Sequence, residues 1–274
     1  MPGTGTPAAP SSSSEPVNSI TIVQPVFAPP ERVWRACTEA QGLRAWQADE
    51  VLGSVADGAR VVLGWPALGV DIPLEVELVV PLRQLAFRTG DARVELHFGA
   101  GQVTLVHSDD FAEDEREGTL SSWRLSLATL AHYLEHHDGQ PRSVHWAVAR
   151  AKVSLEDAHA FFTLPGAQSG WLSRGDGTGI GEAGSAVALD LAWGAPLSGR
   201  VLAHSPPRDA LISWRETNQS VLALRTLPCP DASAERLLIA TWSSWGVSNA
   251  EAIAAQLQAA LQRLARILER RVSA

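Results

Sequence analysis

The chain has 274 residues, 45% of them hydrophobic, and a formal net charge of −8. That length and apolar content suit about two ordinary domains. The charge argues against nucleic acid and against an anionic membrane surface as partners, and no apolar run nears the ~20 residues of a membrane span.

Residues 1–18 are rich in Pro, Ser and Gly and lack the basic start and apolar middle of a secretion signal. Such a composition cannot bury surface and reads as a disordered tail. Ile20–Phe27 reads as a strand, closed by Ala28-Pro29-Pro30, and Pro30 suits the first turn of a helix over Glu31–Thr38. A second short helix follows over Glu39–Trp46. From Val51 to His107 the pattern has period two. Leu74, Val76, Leu78 and Val80 alternate with Glu75, Glu77 and Val79, and Val94, Leu96 and Phe98 alternate with Arg93, Glu95 and His97. This predicts an antiparallel meander with one buried and one wet face, punctuated by glycines at 53, 58, 64, 90, 99 and 101. Asp109–Glu117 reads as an acidic solvated loop. Ser121–His137 then forms a long helix with Trp123, Leu127, Leu130 and Leu134 on one stripe.

The arrangement returns in the second half. A strand at Ser143–Lys152 and a helix at Val153–Phe162 precede strands at 186–193, 201–204, 210–215, 220–226 and 236–242. A final helix carries Ile253, Leu257, Ala260, Leu264, Ile267 and Leu268 on one face, with Ser248 and Glu251 as a capping box. Trp46 and Trp171 stand 125 residues apart, as do Glu31 and Glu156, Pro81 and Pro206, and Arg83 and Arg208. Ser121-Ser122-Trp123 returns as Ser243-Ser244-Trp245 at a slightly shorter offset. These matches predict a tandem repeat of residues 19–140 in 141–274, with Trp46 and Trp171 as equivalent buried residues.

The first half resembles the START/Bet v 1-like (SRPBCC) superfamily, and within it the bacterial relatives of the activator of the heat-shock-protein-90 ATPase. The resemblance rests on Ala28-Pro29-Pro30-Glu31-Arg32-Val33-Trp34, Leu43…Trp46, Val80-Pro81-Leu82-Arg83 through Phe87, Gln102–Ser108, and Ser122-Trp123…Leu127…Leu130…Tyr133-Leu134. The second half matches more weakly, with Ser154-Leu155 in place of Pro29-Pro30. The resemblance implies an α+β chain of two helix-grip domains, each a curved antiparallel sheet around a long C-terminal helix, often with an apolar cavity between them. It carries no universal catalytic signature.

Three roles are compatible with this: holding a hydrophobic small molecule, modulating a chaperone or another protein, and a cyclase- or hydrolase-like reaction. The first is the expectation here, in the cytoplasm, where the two cysteines (Cys37 in a helix, Cys229 in a Pro-Cys-Pro loop) fit a reduced setting. Trp65, Phe87, Phe98, His107, Trp123 and Leu127 are the candidate cavity residues. No catalytic set, metal set or cofactor motif is expected. Gly179-Ile180-Gly181-Glu182-Ala183-Gly184 spells a dinucleotide fingerprint but lacks the preceding strand and following helix, so a loop is expected. His132 and His136 are spaced for a metal but read as a wet surface pair, facing solvent or the other half. Leu125 and Ala128, on the same outer face, are either exposed or a contact between halves. His107 should point inward, against Asp109 or Asp110 or at a cavity mouth. The many small residues in the second half's strands, with Trp193 and Trp214, predict a collapsed second core and a roomier first one.

Overall fold

A computed structural model describes residues 18–272 apart from 176, 230, 232 and 233. The tail expected over 1–18 falls almost wholly outside the described residues.

The first half runs β1 (Ser19–Pro25), α1 (Pro30–Thr38), α2 (Ala40–Trp46), β2 (Glu50–Gly53), β3 (Arg60–Trp65), β4 (Val70–Val80), β5 (Gln84–Thr89), β6 (Ala92–Gly99), β7 (Gln102–Ser108) and α3 (Glu113–His136). Its seven strands form one antiparallel sheet in the order β1-β7-β6-β5-β4-β3-β2. The second half runs β8 (Arg142–Ala151), α4 (Leu155–Thr163), α5 (Pro165–Gln168), β9 (Ala186–Asp190), β10 (Pro196–Ser205), β11 (Asp209–Trp214), β12 (Ser220–Pro228), β13 (Arg236–Trp245) and α6 (Ala250–Val272). Its six strands follow the same plan, β8-β13-β12-β11-β10-β9. Each half is a helix-grip: an antiparallel sheet whose first strand joins its last, with a long C-terminal helix on one face.

The helices form where apolar stripes demand cover. On α3, Leu127, Leu130 and Leu134 are buried against the first sheet, and on α6 Leu257, Ala260, Leu264 and Leu268 are buried against the second. Helix α3 begins at Glu113, so the stretch expected as loop supplies its first turns. Glu113, Asp114 and Glu115 sit there, where negative charge favours a helix N-terminus. Two further departures are local. A register shift between Val76 and Leu78 against β5 reverses the alternation in β4, so Val79 rather than Leu78 packs on the core. Gly64 lies inside β3, where a Cβ would press on the Asp71 carboxylate.

Helix α3 is buried on two sides, and this sets the layering. Leu125 and Ala128 join the core formed with Ala203, Leu211, Val221 and Trp245 of the second half, and α3 packs on β10 and β11. The order of layers is therefore first sheet, α3, second sheet, α6. Every residue of β11 is buried, because Leu211 faces α3 while Ala210, Ile212 and Trp214 face α6. A strand covered on both faces reads as a near-continuous apolar run rather than an alternation. The small residues Ala203 and Ala223 lie on the α3 side, where they let the helix approach. The second core is filled instead by Trp171, Trp214 and Trp242, all fully buried.

Ser243-Ser244-Trp245 closes a strand, whereas Ser121-Ser122-Trp123 lies within α3. The two tripeptides are thus not equivalent, and Trp245 belongs to the contact between halves. Helix α6 starts after Asn249, whose carbonyl accepts from the Ile253 amide. By contrast Trp46 and Trp171 are both buried and make matching hydrogen bonds. The indole of Trp46 donates to the Ala36 carbonyl at 2.9 Å and that of Trp171 to the Phe161 carbonyl at 3.0 Å, each ten residues back.

Gly199 marks a close backbone approach in the second sheet. Its strand pairs with β9 over Pro196–Arg200 and with β11 from Val201 onward, and the Ser213 hydroxyl accepts from the Arg200 amide at 3.0 Å. A Cβ at Gly199 would stand 2.0 Å from the Ser213 carbonyl oxygen. Gly199→Ala should therefore destabilise the chain by about 1–3 kcal/mol, the range for overpacking. Chemical denaturation followed by circular dichroism measures it, and an unchanged midpoint would refute the close approach.

Candidate functional site

A cavity of about 640 Å³ opens beneath the first sheet. Its walls come from β3 and β4 (Leu63, Trp65, Leu74), from β5 and β6 (Phe87, Val94, Leu96), from α2 (Trp46) and from α3 (Trp123, Leu125). The walls are apolar because these positions face inward on alternating strands. Apolar walls enclosing several hundred cubic ångströms are the usual dress of a small-molecule site.

Of the candidate residues, Trp65, Phe87, His107 and Trp123 line this cavity. Phe98 and Leu127 do not. Phe98 lies at the far end of β6 and packs edge-on against Trp34 at 5.3 Å between centroids. Leu127 is completely buried between sheet and helix. Trp123 and Leu127 share a stripe of α3 and differ in height along it, the cavity being lined by residues of α3 as far as Ser126.

His107 is not paired with Asp109 or Asp110. The Trp123 indole donates to its Nδ1 at 2.9 Å. An indole can only donate, so the proton of the neutral imidazole sits on Nε2. That atom is buried and has no hydrogen-bond partner among the described residues. Burial lowers the His107 pKa from its ordinary value, with the Asp109 charge opposing, which keeps the ring neutral near pH 7.

The cavity does not belong to the first half alone. Trp146, Arg208, Arg225 and Thr226, all from the second half, complete its wall. Arg225 donates to Ser122 Oγ at 2.8 Å and Arg208 to Asp114 Oδ1 at 2.6 Å. Ser121 Oγ donates to Asp209 Oδ2 at 2.6 Å. Asp209 and Arg225 face each other across β11 and β12. Sequence reasoning passed over these residues, although one signal was present. Val221, Ala223 and Arg225 share a face of β12, so an arginine continues an otherwise apolar row.

Outside the cavity, the wet face of the first sheet carries a charge ladder in which Glu77 accepts from Arg93 at 2.9 Å and also meets Arg88. These contacts, that of Arg93 above all, hold the Glu77 carboxyl below its usual range. The glycine-rich run from Gly179 to Gly184 is a loop entering β9, with no helix after it. Among the described residues no group of three or more His, Cys, Asp or Glu is placed to hold a metal ion, and no helix is long and apolar enough to cross a membrane.

His132 and His136 separate in the structure. His136 is exposed, whereas His132 is buried between the halves. Nε2 of His132 and Nε2 of His137 both donate to the Gln219 carbonyl, at 2.6 and 3.0 Å, and His137 stacks on Trp245. Burial pushes the His132 pKa down to about 4, and the neighbouring His136 and His137 act in the same direction. A histidine with a lowered folded pKa gives stability that is complete above its unfolded value near 6.5 and is lost as pH falls through the window to 4. The expected loss is on the order of 3 kcal/mol by pH 4. Comparing pH 7 with pH 4.5, His132→Gln should flatten the dependence of the unfolding free energy. An identical slope in wild type and variant would refute this role for His132.

No protein-family model matches the chain, and no curated protein matches it. Solved structures do resemble it. DynU16, a protein of the dynemicin biosynthetic locus, is 19% identical with a TM-score of 0.40, covering 92% of this chain and 100% of its own. The Aha1 dimer from Colwellia psychrerythraea is 17% identical with a TM-score of 0.38, covering 43% of this chain and 96% of its own. CalU16 from Micromonospora echinospora is 23% identical with a TM-score of 0.37, covering 42% of this chain and 75% of its own.

Proposed function

We propose that the chain is a non-enzymatic protein of the START/Bet v 1-like superfamily, built by tandem duplication, that holds a hydrophobic small molecule beneath its N-terminal sheet. The observation that carries this reading is the cavity of about 640 Å³ walled by Leu63, Trp65, Leu74, Phe87 and Trp123. Its size falls within the roughly 300–1,000 Å³ typical of small-molecule sites. The matched indole hydrogen bonds of Trp46 and Trp171 support the duplication. The free, buried thiols of Cys37 and Cys229 suit a reducing cytoplasm.

Leu74 is half-buried on the cavity wall, so enlarging it fills the space without opening the core. Native mass spectrometry of the purified protein should show a bound apolar molecule, or uptake of added decan-1-ol, in the wild type. Leu74→Trp should lower that occupancy at least tenfold while keeping the melting temperature within a few degrees. Undiminished occupancy in Leu74→Trp would contradict binding at this cavity.

A further inference from the structure

The polar end of the cavity has a chemistry of its own. Ser122 and Trp123 are consecutive residues of α3. The first accepts a hydrogen bond from Arg225 and the second donates one to His107. Both His107 and Arg225 line the cavity. Among the described residues, each keeps a buried donor with no partner: Nε2 of His107 and Nε of Arg225. A buried donor left without an acceptor costs roughly 1–3 kcal/mol, more when the group is charged. Arg225 faces Asp209 across the ladder, and the Asp209 charge partly offsets the burial of the guanidinium. The acidic groups of this rim have other engagements. Asp209 Oδ2 accepts from Ser121, Asp114 pairs with Arg208, and Glu115 accepts from the Ala112 amide at 3.4 Å. An oxygen acceptor seated at this end of the cavity would meet the two residues that carry the free donors, and a negative one would add to Asp209 in compensating the guanidinium.

We propose that the ligand is an amphipathic molecule whose anionic oxygen head, a carboxylate being the simplest, docks on Arg225 and His107 while its apolar body fills the cavity, so that the C-terminal half completes the site. This rests on the cavity reading above and adds the class of molecule. Charge-assisted hydrogen bonds from arginine are the stronger kind and carry orientation as well as affinity. A cationic head is disfavoured, because it would meet the Arg225 guanidinium at this end, and Asp209 does not line the cavity.

The test compares decanoate, decan-1-ol and decylamine, which share one chain and differ in the head, by calorimetric titration at pH 7.5. Decanoate should bind at least tenfold more tightly than decan-1-ol, and decylamine more weakly than either. In Arg225→Met the preference for decanoate over decan-1-ol should fall to threefold or less. Should that variant fail to fold, the wild-type ranking alone decides. Equal binding of decanoate and decan-1-ol in the wild type would overturn the head-group assignment and leave the cavity reading standing. Absence of binding by any of the three would overturn both.

Discussion

Replacing Trp171 with alanine should lower the stability of the second half by about 3–5 kcal/mol, the range for truncating a large core aromatic. Trp171 is fully buried between α4 and α6 and packs against Phe162 at 5.9 Å between centroids. Its indole also holds the Phe161 carbonyl, so the variant would leave a cavity and an unpaired acceptor together. Trp46→Ala should cost a similar amount in the first half, where the indole holds the Ala36 carbonyl. That residue also lines the open cavity, and partial relief into existing space should place its cost at the lower end. Urea unfolding followed by far-ultraviolet circular dichroism measures both, and a loss below about 1 kcal/mol at either site would contradict the equivalence.

The second large effect concerns the seam between halves. Asp49, just before β2, accepts from Trp146 Nε1 at 2.7 Å and lies 3.5 Å from the guanidinium of Arg142, which also donates to the Ala48 carbonyl at 2.7 Å. The Arg142 side chain is only 6% exposed. Burial raises the Asp49 pKa and pushes that of Arg142 down to about 10. Desolvation therefore outweighs attraction on both partners, and the pair adds little net stability. Removing one partner is a different matter. Asp49→Ala strands a buried cation and an indole donor, and should cost about 3–5 kcal/mol. Asp49→Asn keeps an acceptor for the indole and should recover part of the loss. If Asp49→Ala unfolds at the wild-type denaturant concentration, the seam is not held there.

The sequence disclosed the parts of this fold that repeat with a period. The apolar stripes of α3 and α6, the alternation in β6 and β7, and the equivalence of Trp46 with Trp171 follow from spacing alone. What it concealed was which face each stripe would meet. Leu125, Ala128 and His132 lie opposite the Leu127–Leu134 stripe and are exposed in an isolated domain, yet the second sheet covers them here. A single helical wheel cannot reveal a neighbour from 70 residues away or more. The same limit governs the site. Trp65, Phe87 and His107 were legible because inward positions on alternating strands gather around a cavity, and Trp123 because it lies on the apolar stripe of α3. Arg208 and Arg225 were not, since they reach it only after the halves dock. Phe98 shares the inward parity of Leu96, but parity fixes a face and not a height along the strand. Ser243-Ser244-Trp245 shows the opposite error, a literal repeat of three residues in different secondary structure.

The central claim, that an apolar ligand occupies the space beneath the first sheet, is tested most directly by the ten tryptophan indole N–H signals. In a proton–nitrogen correlation spectrum, titration with decan-1-ol should shift the indoles of Trp46, Trp65, Trp123 and Trp146, which line the cavity. Those of Trp171, Trp214 and Trp242, sealed in the second core, should stay in place. Shifts confined to the second group, or no shift in the first at saturating ligand, would contradict the account.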